Sequence, residues 1–433
     1  MNFDVYVGEQ WVGSLGPAAG GAYVFAYNAD IPAEYFVSLT MPVRLESYSW
    51  SRGLPPFFLM NLPEGFQKDV LRAKLGPHAD VSDAGLLALT GARTIGRVRV
   101  LPKAQPLARA GETLALASVL ASPDSRSMLI AYLQTGIAEG ISGVMPKTFA
   151  VKTTVTTDDY LLKTALARLP GFAINEYLCL EVARRAGLLV PTTSLAQDGE
   201  VLAVRRFDRI EAGVWRGVED FCALKGLDPV NKYSGSLEEI CKLLTVYAPA
   251  HTVSDSARRL FTLFLLNYAL RNADAHLKNY ALTYTSRSDV ALAPVYDILT
   301  VTVYPDYVPG APALTLGGRK VWHAGKALHE LGATRLSLTD SQMSAAVEAV
   351  SQAISEVAPE VKRYAMEFAE FREVGKHMLS VWETGRLDIL PTARTPTRKV
   401  KELAAAVGLS DEKVLPKKKK KRRSREPTPD GGI

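Results

Sequence analysis

The segment RNADAHLKNYAL, residues 271–282, breaks sharply with the sequence before it. It follows LFTLFLLNYAL at 260–270, the longest uncharged apolar run, and it places five polar side chains in its first eight residues. A helix that merely ended there would need only a glycine or a single polar cap. The segment therefore indicates a functional site that acts on charged groups, at the end of a buried helix.

Composition and length indicate an ordinary globular protein. The chain has 433 residues, 47% hydrophobic and 22% charged, which allows two or three domains around a large core. Its three cysteines form neither a CxxC pair nor an even disulfide set, and its N-terminus lacks the pattern of a secretion signal. The longest apolar run is shorter than the roughly 20 residues that cross a bilayer. We therefore expect a cytoplasmic protein without a membrane segment.

A basic tail accounts for the net charge of +6. Eight lysines and arginines lie between residues 417 and 425, so the rest of the chain is close to neutral. The tail, residues 409–433, has few apolar side chains to bury, and its composition predicts disorder. Two interpretations stand beside each other: a solvated tail of little consequence, or a sequence-independent electrostatic contact with nucleic acid or another polyanion.

Three folded regions are predicted before this tail. Residues 1–105 begin with FDVYVG, WVGSL and AYVFAY, whose alternation indicates a small antiparallel sheet, and continue into helical stretches at 63–76 and 83–92. A connector that contains Pro, Ala and Gly ends this N-terminal subdomain. A β-rich region over 106–235 and a helical region over 236–408 follow.

The patterns inside these two regions predict an α+β fold. Two strands flank a turn at Thr156–Asp159, an amphipathic helix ends at Gly187, and VLAVRRFDRI at 201–210 is a further strand. From Leu237 onward helical periodicity dominates, and no repeat of 20 to 50 residues recurs. A mixed sheet followed by a helical lobe is the simplest architecture.

The opening segment contains an aspartate and an asparagine at a spacing known from kinases. Asp274 and Asn279 stand in the pattern D-x-x-x-x-N, which is the interval of the protein-kinase catalytic loop. The pattern alone is weak evidence, because a helix end rich in capping residues would also produce it.

Further residues in kinase order strengthen this interpretation. Asp297 lies in LAPVYDILT, a strand-like apolar run 23 residues after Asp274, where an acid is costly unless a cation meets it. Lys163 ends an apolar strand, and Glu176 opens a helix thirteen residues later, as in the pair that holds ATP phosphates in kinases. Before them GISGVMPK, residues 140–147, offers glycines that could bring backbone N–H groups over phosphate.

Each residue also has an ordinary structural explanation. Lys163 could be a solvated strand end, Glu176 an acid favoured by the helix dipole, and GISG a turn. Taken together in this order, however, the residues favour an ATP- and Mg²⁺-dependent kinase. Asp274 would accept the proton of a substrate hydroxyl, and Lys278 could neutralise charge on the transferred phosphoryl group, whereas His276 is more often structural in such loops.

Several motifs together resemble the HipA family of serine/threonine kinase toxins. They are LPEGF, LLALTGARTIGRV, GISGVMPK, VLAVRRFDRI, NADAHLKNYAL and PVYDILT, which match in order across residues 1 to about 380. The resemblance implies a two-lobed protein-kinase-like fold, with a small N-terminal subdomain, a β-rich N-terminal lobe and an all-helical C-terminal lobe. It also implies ATP and Mg²⁺, phosphorylation of a protein such as an aminoacyl-tRNA synthetase, and a DNA-binding antitoxin partner of the HipB type.

The resemblance assigns roles to individual residues. It implies Asp274 as the catalytic residue, and Asn279 and Asp297 as the metal ligands. The implied nucleotide contacts are Gly140, Ser142, Gly143, Val144, Lys147, Lys163, Glu176, Arg205, Arg206, Phe207, His276, Lys278, Asn279, Tyr296 and Asp297, with Arg205 to Phe207 as the hinge to adenine. Two departures stand out: Gly140 replaces the first serine of the S-I-S-G-V-Q-P-K loop of relatives, and Met145 replaces its glutamine. Ser142 remains the candidate for autophosphorylation.

Two other functions fit the same residues. A small-molecule or lipid kinase would keep the whole site and change only the acceptor. A nucleotide-holding partner of a DNA-bound repressor would use the basic tail on the duplex, although the presence of Lys163, Asp274 and Asp297 gives no reason to assume an inactive kinase.

Overall fold

The structure is a computed structural model that describes residues 1–62, 80–106, 115–138, 152–157, 159–165, 169–211, 214–307, 310–323 and 325–391. Three predicted features lie outside these residues: the helix at 63–76, the phosphate loop at 140–147 with Ser142, and the basic tail.

The N-terminal subdomain is built on a five-stranded antiparallel sheet. Its strands are β1 (Phe3–Val7), β2 (Gln10–Pro17), β3 (Tyr23–Tyr27), β4 (Tyr48–Trp50) and β5 (Val98–Pro102), in the order β4-β3-β2-β1-β5. Side chains alternate across a strand, so the apolar alternation of β1 buries one face against helices α1 (Pro56–Leu59) and α2 (Asp83–Thr90). The strands predicted in this region are confirmed.

A second sheet forms the β-rich lobe. Its strands are β6 (Lys152–Thr156), β7 (Tyr160–Ala165), β8 (Thr193–Leu195) and β9 (Leu202–Arg205), in the antiparallel order β6-β7-β9-β8. Two helices precede it, α3 (Leu116–Leu120) and α4 (Ser125–Ala138), and α5 (Phe172–Arg185) crosses it with a buried apolar stripe. The predicted strand pair and helix are confirmed.

The strand predicted over 201–210 is in fact two strands. β9 ends at Arg205, and β10 (Arg209–Glu211) pairs with β11 (Val214–Trp215) as a separate hairpin. A local ion pair explains the break: the Arg206 guanidinium donates to both carboxylate oxygens of Asp208, and both side chains are buried. This pair takes the chain out of the sheet between the two strands.

The large lobe is mainly helical. Its helices are α6 (Phe221–Leu224), α7 (Leu237–Tyr247), α8 (Ala250–Ala269), α9 (Gly325–Arg335), α10 (Asp340–Glu367) and α11 (Arg372–Asp388). Helix α8 is buried almost continuously from Leu260, so the predicted core helix is confirmed. No helix among the described residues is long and apolar enough to cross a membrane.

A small sheet also lies in this lobe, which the prediction of an all-helical lobe did not include. It contains β12 (Gly217–Asp220), β13 (Ala281–Tyr284) and β14 (Ala291–Leu292), in antiparallel order. The segment after β14 was expected to be strand-like through Asp297, but residues 293–300 form no strand. Two residues act against a strand here: Pro294 has no backbone N–H to donate, and Asp297 has a φ of 54°, a left-handed conformation outside the β region.

Buried polar contacts fix the N-terminal subdomain against the other two regions. Besides its bonds to Arg206, Asp208 accepts a hydrogen bond from Gly96 N at 2.9 Å, and Arg206 Nη2 donates to Thr94 O at 2.9 Å. Glu219 of β12 accepts hydrogen bonds from Ser38 Oγ and Leu39 N, each at 2.7 Å. These contacts attach the subdomain both to the chain after β9 and to the small sheet.

Candidate active site

Lys163 and Glu176 meet in the interior of the β-rich lobe. Strand β7 carries Lys163 and the first turns of α5 carry Glu176, and Lys163 Nζ donates to Glu176 Oε1. Lys163 Nζ also lies 3.1 Å from Asp297 Oδ1. Burial alone would lower the pKa of Lys163, but the charges of Asp297 and Glu176 outweigh it and raise the pKa. The lysine therefore stays protonated between two carboxylates, and the predicted contact with Glu176 is confirmed.

Asp297 is held in its left-handed conformation from both sides. The Asn279 amide donates to Asp297 Oδ2 at 3.0 Å and to Asp297 O at 3.1 Å, while Lys163 contacts the other carboxylate oxygen. A non-glycine residue with positive φ is strained by about 1–3 kcal/mol, and such strain collects at functional sites. These contacts compensate for that strain and orient the carboxylate.

A buried polar network connects helix α5 to the segment after Asp297. Thr300 N donates to Asn175 Oδ1 at 3.0 Å, and Asn175 Nδ2 donates back to Thr300 O at 3.2 Å. Trp382 of α11 donates from Nε1 to Thr300 Oγ1 at 2.6 Å. Asn175 precedes Glu176, so one turn of α5 contacts the Asp297 segment directly through Asn175 and indirectly through the Lys163 that Glu176 contacts.

The loop that carries Asp274 and Asn279 begins where helix α8 ends. Asn272 Nδ2 donates to Asn267 Oδ1 at 2.9 Å, and Asn272 Oδ1 accepts from Asp274 N at 3.3 Å. Through these two bonds Asn272 links the last turn of α8 to the backbone of Asp274. The half-buried carboxylate of Asp274 accepts a hydrogen bond from the hydroxyl of Tyr233 at 2.7 Å.

The other two polar residues of this loop face different neighbours. His276 is buried, and its ring meets that of Tyr233 edge-on at 5.1 Å. Lys278 Nζ donates to Met60 O at 2.5 Å and lies 3.6 Å from Asp220 Oδ2. The structure thus directs Lys278 toward the N-terminal subdomain, and its predicted contact with a phosphoryl group remains a hypothesis.

The predicted hinge lies at the end of β9. Arg205 is exposed, and Arg206 is buried against Asp208. Phe207 stacks on Tyr296 with ring centroids 6.0 Å apart, and Tyr296 OH donates to Lys278 O at 2.9 Å. Aromatic rings therefore connect the predicted hinge to the loop that carries Lys278.

The amide of Asn279 and the carboxylate of Asp297 provide oxygen donors of the kind that Mg²⁺ prefers. In the part of the chain that the structure describes, no group of three or more His, Cys, Asp or Glu side chains could hold a metal. An ion at Asn279 and Asp297 would therefore need further ligands from nucleotide phosphates and water, as is usual for Mg²⁺. The two residues fit such a shared site.

Sequence reasoning missed residues that the structure brings to this site. Tyr233, Asp220, Asn175, Thr300 and Trp382 were not identified, because each contacts its partner across a long stretch of chain. Asn175 is the one of these that the sequence could have indicated. It is a polar residue next to Glu176 on the buried face of α5, and a buried polar side chain requires a hydrogen-bond partner.

Two family models match the chain. Residues 3–101 match the HipA N-terminal domain, and residues 140–358 match the HipA-like C-terminal domain. The second match alone spans half of the sequence.

The chain belongs to the HipA family.

Curated relatives and a solved structure agree with this assignment. Two provisionally named kinases of Sinorhizobium fredii, Y4mE and Y4dM, are 29% and 27% identical to the chain, over 65% and 70% of this chain and 72% and 77% of theirs. HipA of Shewanella oneidensis MR-1, solved with HipB and operator DNA, shares 18% identity with a TM-score of 0.61, over 88% of this chain and 97% of that one. This HipA-family protein is therefore a kinase with the two-lobed HipA fold.

Proposed function

We propose that this HipA-family kinase transfers the γ-phosphoryl group of ATP to a serine or threonine of a protein. One observation carries the proposal: Glu176, Lys163, Asp297 and Asn279 form a continuous chain of contacts between the two lobes. The same residue types in the same order hold nucleotide and metal in protein kinases.

Each residue of this chain has a chemical role in the proposal. Lys163 stays charged and holds the α and β phosphates, while Glu176 keeps it in place. A Mg²⁺ ion bound by Asn279 and Asp297 would supply positive charge against the phosphate oxygens. Asp274 orients the acceptor hydroxyl and takes its proton.

The phosphate loop completes the site in this proposal. Gly140, Gly143, Val144 and Lys147 would cover the phosphates, and Ser142 is the proposed autophosphorylation residue. A phosphate on Ser142 adds a charge of about −1.5 to −2, which would repel the nucleotide and expel the loop.

The partners are inferred from the relative of Shewanella oneidensis. That HipA assembles with HipB on operator DNA. We infer a HipB-like antitoxin for this chain, with growth arrest through a translation protein such as an aminoacyl-tRNA synthetase. The basic tail would add an electrostatic contact with the DNA.

The test is transfer from labelled ATP. Purified protein is incubated with Mg²⁺ and either a cell lysate or a metabolite and lipid extract, with Asp274→Asn as the control. Label on serine or threonine of a protein supports the proposal, whereas label confined to metabolites or lipids points to a different acceptor. Peptide mass spectrometry of the same sample reads the state of Ser142, and an active enzyme without phosphate there lacks this self-inhibition.

A further inference from the structure

The Tyr233 hydroxyl lies where an acceptor hydroxyl would have to lie. It donates to Asp274 Oδ1 at 2.7 Å. A general base must come within about 2.6–3.2 Å of the oxygen whose proton it takes. The tyrosine therefore already makes the contact that the proposed substrate needs, and a substrate hydroxyl has to replace it.

Tyr233 lies at the rim of the site. The residue is 41% exposed, and its ring meets the buried His276 edge-on. Its carbonyl accepts a hydrogen bond from Lys320 Nζ at 3.0 Å. Because the ring borders solvent, rotation of the side chain would move its hydroxyl away from Asp274.

An open groove of about 540 Å³ continues from Tyr233. Most of the residues that form its walls carry hydrogen-bonding side chains: Lys225, Tyr233, Ser234, Gly235, Ser236, Glu238, Glu239, Thr315, Gly318 and Lys320. Contacts between the walls hold its shape: Thr315 N donates to Gly235 O at 3.1 Å, and Gly317 N donates to Glu238 Oε1 at 2.8 Å. Lys225 Nζ donates to Ser234 O at 3.0 Å and to Glu239. The groove is thus preformed.

We propose that Tyr233 and this groove form the acceptor site. The groove binds an extended polypeptide segment, and the Tyr233 hydroxyl occupies the position of the acceptor hydroxyl until that segment binds. Small ligands are usually enclosed over most of their surface, whereas an open groove with hydrogen-bonding side chains in its walls suits a peptide that lies along it. The inference rests on the kinase function proposed above. It identifies Tyr233 as the side chain that occupies the acceptor position and places acceptor recognition on the large lobe.

The transfer step at this site forms one bond to phosphorus and breaks one. The acceptor oxygen bonds to the γ-phosphorus of ATP as the bond from that phosphorus to the β–γ bridging oxygen breaks. The acceptor proton passes to Asp274, and ADP leaves. Without a peptide, water can take the acceptor position, and the same step becomes ATP hydrolysis.

The first measurement is Mg-ATP hydrolysis without acceptor, using the full chain. Tyr233→Phe removes the competing hydroxyl, so hydrolysis should rise about two- to tenfold, the factor that corresponds to one net hydrogen bond. Tyr35→Phe, a half-buried tyrosine of the N-terminal subdomain, is the matched control and should behave like the wild type. Asp274→Asn should reduce hydrolysis in either background.

The second measurement tests the groove with a mixture of degenerate peptides, each carrying a central serine. Ser234→Trp fills the groove, and kcat/KM for the peptide mixture should fall about tenfold relative to Ser355→Trp, which places the same side chain on an exposed face of α10. Thermal unfolding of both variants confirms that they are folded.

The outcomes separate this inference from the proposed function. Hydrolysis by Tyr233→Phe at or below the wild-type rate would mean that the tyrosine positions Asp274 and does not stand in for a substrate. Equal peptide kinetics in the two tryptophan variants would exclude the groove. A wild-type protein that binds Mg-ATP yet neither hydrolyses nor transfers it would overturn the proposed function, and this inference with it.

Discussion

Single side chains decide the chemistry, and Asp274 is the most direct to test. Its carboxylate accepts one hydrogen bond from Tyr233 and sits in a loop fixed by Asn272. We predict that Asp274→Asn lowers phosphotransfer by about 10²- to 10⁴-fold, the usual contribution of a general base. The amide oxygen can still accept from Tyr233, so thermal stability and ATP affinity should stay near wild type. A variant that turns over like the wild type would remove Asp274 from the mechanism.

Glu176 provides a second prediction at the residue scale. Glu176→Gln keeps the shape of the side chain but removes the charge that faces Lys163. We expect ATP affinity to fall about tenfold, because Asp297 is then the one anionic partner that Lys163 keeps among the described residues, and the lysine shifts from the phosphates. Titration calorimetry with a non-hydrolysable ATP analogue measures the change. Glu181→Gln, on the same helix and paired with Arg184, is the matched control and should bind ATP normally.

At the scale of elements, the sequence predicted those segments whose side chains alternate or recur regularly. Strands β1 to β3, the pair β6 and β7, and helices α5 and α8 all follow such patterns. The failures lie where one or two residues override the pattern. The apolar run around Asp297 has the composition of a strand, but Pro294 and the left-handed φ of Asp297 act against it. VLAVRRFDRI is interrupted by the Arg206–Asp208 pair.

The contact of helix α11 with helix α8 depends on one glycine. A Cβ atom added at Gly385 would lie 2.0 Å from Ala269 O, a backbone atom that cannot move aside. We predict that Gly385→Ala destabilises the protein by about 1–3 kcal/mol, as overpacking does. Urea unfolding measures the loss. Thr384→Ala, one residue earlier on the exposed face, should change stability far less, and equal effects would contradict the close approach of the two helices.

At the scale of the whole molecule, the candidate site depends on contacts between regions far apart in sequence. Lys278 and Met60 are 218 residues apart, and Tyr233 and Asp274 are 41 apart. Local patterns contain no information on contacts over such separations. The sequence therefore indicated Lys163, Glu176, Asp274 and Asp297 through their kinase-like order, but it did not indicate Tyr233. The roles assigned to these residues remain predictions for the experiments above.

The buried pair of Arg206 and Asp208 offers a test of how the N-terminal subdomain is held. Asp208→Ala leaves the Arg206 guanidinium buried without its carboxylate and removes the acceptor of Gly96 N. We predict a loss of about 3–5 kcal/mol in the free energy of unfolding. Glu367→Ala breaks the exposed pair with Arg363 and should cost less than about 1 kcal/mol. The double variant Arg206→Met with Asp208→Leu should recover much of the stability.

The hydrogen bond from Trp382 to Thr300 has a consequence for how the protein is made. A chain is synthesised from its N-terminus, so the segment with Asp297 leaves the ribosome well before Trp382 does. Until then Thr300 lacks its indole partner, and it contacts helix α5 through Asn175 and Cys179. We expect a nascent chain that ends before α11 to be inactive. The kinase would then become active only when translation of the folded body is complete.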